Sequence, residues 1–254
     1  MIDPAARFSN RVADYLAYRP RYGDALIGVL CARCDLQPTH VIADVGSGTG
    51  FLSELFLNHG NTVFAVEPNG PMRAAAEALY GAKSGFHSID GSAEHSTLPE
   101  TSIDFVTAGQ AFHWFDVEAS RREFARILRP GGWVVLVWNE RRTEESGFLV
   151  DYEALLHQHG TDYAAVDHRN VNEEILAAFY GGGFERAVLD NVQWLDREGL
   201  AGRVRSCSYV PAPGDPGYAA MMCNLDAIFD AHQQDGRVAM TYDTRLFFGR
   251  LRNP

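Results

Sequence analysis

Lysine is almost missing from this chain: Lys83 stands alone among 254 residues, and every other basic side chain is arginine. Schiff-base and lysine-base chemistry are thereby excluded unless Lys83 itself serves. Positive charge as a whole is scarce. The 22 basic residues face 33 acidic ones, a formal net charge of −11, which argues against nucleic acid and anionic membrane surfaces as partners. A local arginine cluster can still hold an anion. No apolar run approaches the ~18 residues of a membrane span, and the first residues lack a basic-then-apolar leader pattern, so the cytoplasm is the expected location. Cysteines number four: Cys31, Cys34, Cys207 and Cys223. Cys31 and Cys34 have the spacing of a redox or zinc pair. No second such pair or histidine pair stands at zinc spacing, so they are read as thiols buried on a helix and no metal is expected.

The remaining composition, 46% hydrophobic and 22% charged, suits a globular protein with a sizeable core. Residues 8–36 read as one or two helices broken at Arg19-Pro20-Arg21-Tyr22. Strands are expected at Val41–Val45, Thr62–Val66, Phe86–Ile89, Ile103–Ala108 and Trp133–Trp138, with helices over 50–59, from Pro71 to Tyr80, and over Val117–Leu128. Arg129-Pro130-Gly131-Gly132 breaks the last of these. Such alternation implies a parallel, doubly wound sheet, in which ligands bind beyond the carboxyl ends of the strands. Beyond residue 140 the pattern weakens. Helices are expected at Leu149–His159, Glu173–Tyr180, Leu195–Ser206 and Tyr218–His232, and strands at Phe184–Trp194 and Thr241–Arg250. The whole chain, 1–254, is read as one domain: a binding core over 37–140, with 1–36 and 141–254 supplying the remaining strands and helical cap insertions.

The chemistry concentrates at Asp44-Val45-Gly46-Ser47-Gly48-Thr49-Gly50. A strand ends in an acid and a glycine-rich turn opens a helix, which brings bare backbone next to a ligand. The third glycine falls one residue early for the dinucleotide fingerprint, and an acid precedes the first; a pyrophosphate would reject that anion. An acid there suits a ligand with a cationic end. S-adenosylmethionine, with an ammonium, a sulfonium and no phosphate, fits. Asp44 then works near the methionyl end, directly or through water, while Gly46, Ser47, Gly48 and Gly50 line the groove. Glu67, closing the second strand before Pro68, suits the ribose hydroxyls. Met72 is placed to pack on adenine, or simply in the core. Asp90-Gly91-Ser92-Ala93-Glu94 follows the third strand; Ser92 and Ala93 are placed at the adenine edge, and Glu94 either joins them or caps the next turn.

Together with Gln110-Ala-Phe-His-Trp114 and Leu128-Arg-Pro-Gly-Gly132, these pieces resemble the class I S-adenosylmethionine-dependent methyltransferases of the type-11 small-molecule group. Tyr18-Arg-Pro-Arg-Tyr22 is similar to members that resemble trans-aconitate methyltransferases. The resemblance covers about residues 8–140. It implies a Rossmann-like sheet of seven strands with the last antiparallel, and cofactor contacts at the motif positions. Many relatives carry Asp where this chain has Ser92, which weakens that one carry-over.

Methyl transfer from a sulfonium is an in-line displacement, so the protein mainly aligns the reactants. A base is needed only where the acceptor must lose a proton. His113, following the fourth strand, is the candidate base, or else a pocket contact. Gln110 belongs with the cofactor contacts; Trp114 and Trp138 are placed in the same cavity. Tyr15, Tyr18 and Tyr22 are expected to line the acceptor pocket, with Arg19 gripping a carboxylate of the cofactor or acceptor. Acids for a metal-dependent catechol-type site are missing after strands four and five. The expected partner is a small-molecule acceptor, methylated on oxygen rather than nitrogen or carbon. Two alternatives are a non-catalytic module that binds the same cofactor, and a nicotinamide-dependent dehydrogenase. The glycine spacing and the absence of Tyr-x-x-x-Lys disfavour the latter.

Overall fold

The computed structural model describes residues 12–161 and 172–251. They form a seven-stranded sheet flanked by nine α-helices among the described residues: α1 (Val12–Tyr18), α2 (Ala25–Cys34), β1 (Val41–Val45), α3 (Phe51–His59), β2 (Thr62–Val66), α4 (Gly70–Tyr80), β3 (Phe86–Ile89), β4 (Ile103–Gly109), α5 (Val117–Ile127), β5 (Leu128–Arg141), α6 (Gly147–His159), α7 (Glu173–Tyr180), β6 (Glu185–Leu195), α8 (Arg197–Arg205), α9 (Tyr218–His232) and β7 (Val238–Gly249). The strand order is β3-β2-β1-β4-β5-β7-β6. The pairings from β3 through β5 are parallel, whereas β7 runs antiparallel to both β5 and β6. The last strand alone is therefore reversed, as the family resemblance implies.

Strand alternation decides which helix covers which face. Val134, Leu136 and Trp138 point to the side covered by Phe124 and Ile127 of α5 and Leu176, Phe179 and Tyr180 of α7. Val135 and Val137 point to the other side, against Leu26 and Leu30 of α2 and Leu52, Leu55 and Phe56 of α3. With both faces covered, the central strands read as continuous apolar runs. A third cluster joins α6, α8 and α9 to the first half of β7 through Tyr152, Leu156, Val204, Leu225, Met240 and Tyr242.

Local chemistry sets the element ends. Asn69 caps α4 by accepting from Met72 N at 3.0 Å, with Pro71 in the first turn, where no amide is needed. Asp116, Ser146, Asn172 and Asp196 cap α5, α6, α7 and α8 in the same way. Gly60 adopts φ +101° and ends α3. The expected break at Arg129–Gly132 falls inside a strand: Ile103 pairs with Leu128 and Phe105 with Trp133, so β5 bulges while β4 advances by two residues. Leu195 ends β6 rather than opening α8, and β7 starts at Val238, three residues before the expected Thr241. Cys31 and Cys34 lie on α2 as free thiols; burial pushes Cys34 up to about 12. No described helix is long and apolar enough to cross a membrane.

Candidate active site

A cavity of about 480 Å³ opens where the sheet order reverses between β1 and β4. Its first wall is the glycine turn. Gly46 N and Ser47 N both donate to Val66 O, at 2.9 and 3.2 Å, which folds the turn over the end of β2. Gly46, Gly48 and Gly50 all have φ between +57° and +84°, the left-handed region that glycine enters without penalty. A Cβ on Gly46 would sit 2.6 Å from Ala111 Cβ, whereas one on Gly48 would meet nothing within 4 Å. Gly46 thus lets the turn approach the β4 loop, and Gly48 leaves room for a ligand.

Two acids hold this wall. Asp44 is fully buried and accepts from Ser53 Oγ at 2.6 Å and Thr107 Oγ1 at 3.1 Å. Burial raises its pKa to about 6 despite those bonds, and Glu67 adds to the rise. Glu67 accepts from Gly48 N through Oε2 and from Asn69 N through Oε1, each at 2.8 Å. Its pKa is also raised, chiefly by burial. A carboxylate has about four lone-pair sites, so Glu67 braces the turn and can still accept from a ligand.

The end of β4 forms the second wall. Gln110 has φ +55°, and its amide Nε2 donates to Asn139 O at 3.2 Å. A single 3-10 turn, Phe112–Trp114, follows. It places His113 and Trp114 on the cavity, their rings 4.7 Å apart.

The third wall comes from distant sequence. Arg19 and Tyr15 arrive from α1, Arg203 from α8, Ser208 and Tyr209 from the loop after it, and Tyr242 from β7. Arg19 Nη2 donates to Ser206 O at 2.9 Å, and its guanidinium lies 5.3 Å from the Tyr15 ring centre. Arg203 donates to Tyr242 Oη at 3.3 Å and to Cys207 Sγ at 2.9 Å.

Sixteen of the residues singled out from sequence converge on this one cavity: Tyr15, Arg19, Tyr22, Asp44, Gly46, Ser47, Gly48, Glu67, Pro68, Met72, Ser92, Ala93, Glu94, Gln110, His113 and Trp114. Three do not. Trp138 follows Val134 and Leu136 onto the α5 and α7 face, where it packs edge-on against Phe112. Tyr18 ends α1 with its ring against α8, 2.1 Å from where a Gly202 Cβ would stand. Gly50 faces Tyr80 of α4 at 2.7 Å by the same measure; its role is helix packing. Glu94 lines the wall but accepts from Asp116 N at 3.0 Å, the capping alternative. The helix does not survive to Pro20, so Tyr22 reaches the cavity from the loop beyond α1.

Thr49, Arg203, Ser208 and Tyr242 also line the cavity and were not singled out from sequence. Arg203 had a signal: it shares a helical stripe with Leu200, Val204 and Cys207, all buried, and an arginine in a buried stripe calls for a reason. Among the described residues, no group of three or more His, Cys, Asp or Glu side chains is placed to hold a metal ion.

Four enclosed polar atoms have no hydrogen-bond partner among the described residues: Arg19 Nε, Ser47 Oγ, Thr49 Oγ1 and Gln110 Oε1. Buried polar groups are rarely left so. All four belong to residues that line the cavity.

The chain is similar to known methyltransferases. Residues 43–136 match the methyltransferase domain family. The chain is 33% identical over 138 residues to an uncharacterized methyltransferase-like protein of Schizosaccharomyces pombe, covering 53% of this chain and 52% of that protein. It is 34% identical over 139 residues to an uncharacterized methyltransferase of Mycobacterium bovis, covering 55% and 54%. The chain thus spans about half the length of the curated relatives it matches. A candidate type II methyltransferase from Anaeromyxobacter dehalogenans shares the fold with a TM-score of 0.67, at 23% identity over 94% of this chain and all of that one. An S-adenosylmethionine-dependent methyltransferase from Geobacter sulfurreducens, solved with S-adenosylhomocysteine, gives 0.55 at 17% identity over 99% of this chain and all of that one.

Proposed function

We propose that this chain, whose residues 43–136 carry a class I S-adenosylmethionine-dependent methyltransferase domain, transfers a methyl group from that donor to oxygen on a small-molecule acceptor. One observation carries the reading: the motif wall and the cap wall enclose the same cavity, and its orphaned polar atoms sit on both.

When bound, S-adenosylmethionine supplies an activated methyl group on a sulfonium. Everything else falls to the chain. Glu67 holds the ribose hydroxyls through lone pairs not used by Gly48 and Asn69. Asp44 provides negative charge for the cationic end, and Arg19 and Gln110 bind the amino acid end with Nε and Oε1. Met72, Ser92 and Ala93 flank adenine. Trp114, Tyr15 and Tyr22 exclude water and shape the acceptor space. Arg19 and Arg203 repel an ammonium-bearing acceptor, which supports oxygen over nitrogen. Where the acceptor is a hydroxyl, His113 takes its proton.

Calorimetry with S-adenosylmethionine and S-adenosylhomocysteine tests the donor; failure of both to bind sinks the reading. Transfer of labelled methyl to a panel of acids, phenols, alcohols and amines tests the acceptor, and turnover of amines alone overturns oxygen. His113→Ala slows transfer to hydroxyl acceptors by about 100-fold while S-adenosylhomocysteine still binds.

A further inference from the structure

The arginines of this acidic chain are mostly neutralised. Arg21 pairs with Glu54, Arg73 with Asp90, Arg126 with Glu123, Arg129 with Asp104 and Arg245 with Glu140. Arg141, on the cavity wall, pairs with Glu153. Arg205, two residues past Arg203, pairs with both Asp14 and Glu198. Arg203 is different. It is only 5% exposed and lines the cavity, yet its partners among the described residues are a phenol oxygen and a thiol, with no carboxylate in ion-pair range. Arg19, on the same wall, bonds a main-chain oxygen and stacks on the Tyr15 ring, with no carboxylate in ion-pair range among the described residues.

A buried guanidinium without a counter-charge is costly, and proteins seldom keep one that no anion visits. The two bonds Arg203 makes use two of its five N–H donors. They also fix the plane of the guanidinium: Tyr242 holds Nε and Cys207 holds Nη1. One N–H on Nη1 and two on Nη2 are left over, and together they suit a two-oxygen partner. Cys207 does not remove the need. Even as a thiolate it offsets one of two neighbouring cations, and Arg19 faces the donor's own carboxylate in the proposed function.

Resting on that reading, we infer that Arg203 is the acceptor anchor and that the acceptor carries an anionic headgroup, of the carboxylate or phosphate class, held against the guanidinium edge between Tyr209 and Tyr242. The headgroup fixes the acceptor in the cap, and the remainder extends towards His113 and the end of β4. Tyr242 and Cys207 act as positioning residues for Arg203. Selection then depends on Arg203, set beside Tyr209 and Tyr242, which rejects neutral and basic analogues of equal size.

The test uses the full chain, with and without saturating S-adenosylhomocysteine. Benzoate, 3-phenylpropionate and succinate are titrated calorimetrically against their primary amides, with phenyl phosphate as a second arm. At least one anion is expected to bind about 30-fold more tightly than its neutral analogue, and the better arm identifies the headgroup. Arg203→Met removes that preference, while S-adenosylhomocysteine affinity stays within about threefold of the parent. Arg203→Lys, which keeps the charge and loses the fork, retains part of it. Amides that bind as well as acids overturn the inference, as does a preference that survives Arg203→Met. Should Arg203→Met fail to fold, the acid–amide contrast in the parent and Arg203→Lys decides. Loss of S-adenosylhomocysteine binding in the parent counts against the donor reading, while the contrast measured without it still judges Arg203.

Discussion

The two walls of the cavity are built by opposite strategies. On the motif wall, ligand groups come from short consecutive stretches at strand ends, and much of the contact is main chain. Asp44, Gly46, Ser47 and Gly48 lie within five residues, and Glu67 is tied back to them through Gly48 N. On the cap wall, Arg19, Arg203, Tyr209 and Tyr242 come from three parts of the chain and present only side chains. Local sequence dictates the first wall. The second exists only once α1, α8 and β7 have packed, so its side chains other than Arg19 can change with little effect on the groove that the motif wall forms. The difference separates a general part from a selective part.

Disruption of the motif wall should be the most damaging. Glu67→Ala frees both amides that its carboxylate holds and removes the ribose acceptor; S-adenosylhomocysteine affinity is expected to fall about 100-fold by calorimetry. A change within threefold would show that this wall does not hold the donor. Gly46→Ala forces both a left-handed alanine and a clash with Ala111. It should lower affinity about tenfold and stability by about 1–3 kcal/mol. Gly48→Ala shares the backbone penalty without the clash, so its melting temperature should fall less. Equal losses would mean that the close approach to β4 is unimportant.

The cap wall is probed by Gly202→Ala, which drives a methyl group into Tyr18. The acceptor KM should rise by roughly fivefold, with a smaller loss of donor affinity, because α1 is displaced and the β1 turn is not. An equal effect on donor and acceptor would blur the division between the walls.

The gentlest probe is pH. Asp44, at about 6, is protonated at pH 5 and ionised at pH 7. A cationic donor favours the ionised form, so binding releases a proton in that interval and affinity rises with pH. The gain from pH 5 to 7 should be at most about tenfold, and Asp44→Asn should flatten it. A slope that persists in Asp44→Asn assigns the proton to another group, with Glu67 the first candidate.

How much was legible follows the same division. The parallel strands and the groove residues were readable because each depends on neighbours in sequence: Val41–Val45 is apolar, Asn69 caps before Pro71, and glycines stand where φ must be positive. Misplacements arose where tertiary packing overrode local pattern. Pro130 and Gly131 look like a break, yet the chain resumes pairing with β4 after a bulge. Trp138 lies near the end of β5, the end that reaches the cavity, but alternation sends its ring to the face covered by α5 and α7. Tyr18 lies between two residues that do reach the cavity, and the gap above Gly202 captures it instead. The only local mark of Arg203 is its place in the stripe of Leu200, Val204 and Cys207; its significance comes from the absence, among the described residues, of a carboxylate around it in space.

Strand β7 runs against its neighbours, so its beginning rather than its end lies at the tips where ligands bind, and Tyr242 pairs with Arg141 there. A ribosome that has finished α9 has already made the whole glycine turn and Glu67, yet Tyr242 on the opposite wall of the cavity has still to follow. The cavity is therefore completed last by the chain's final strand, as residues 238–249 enter the slot between β5 and β6.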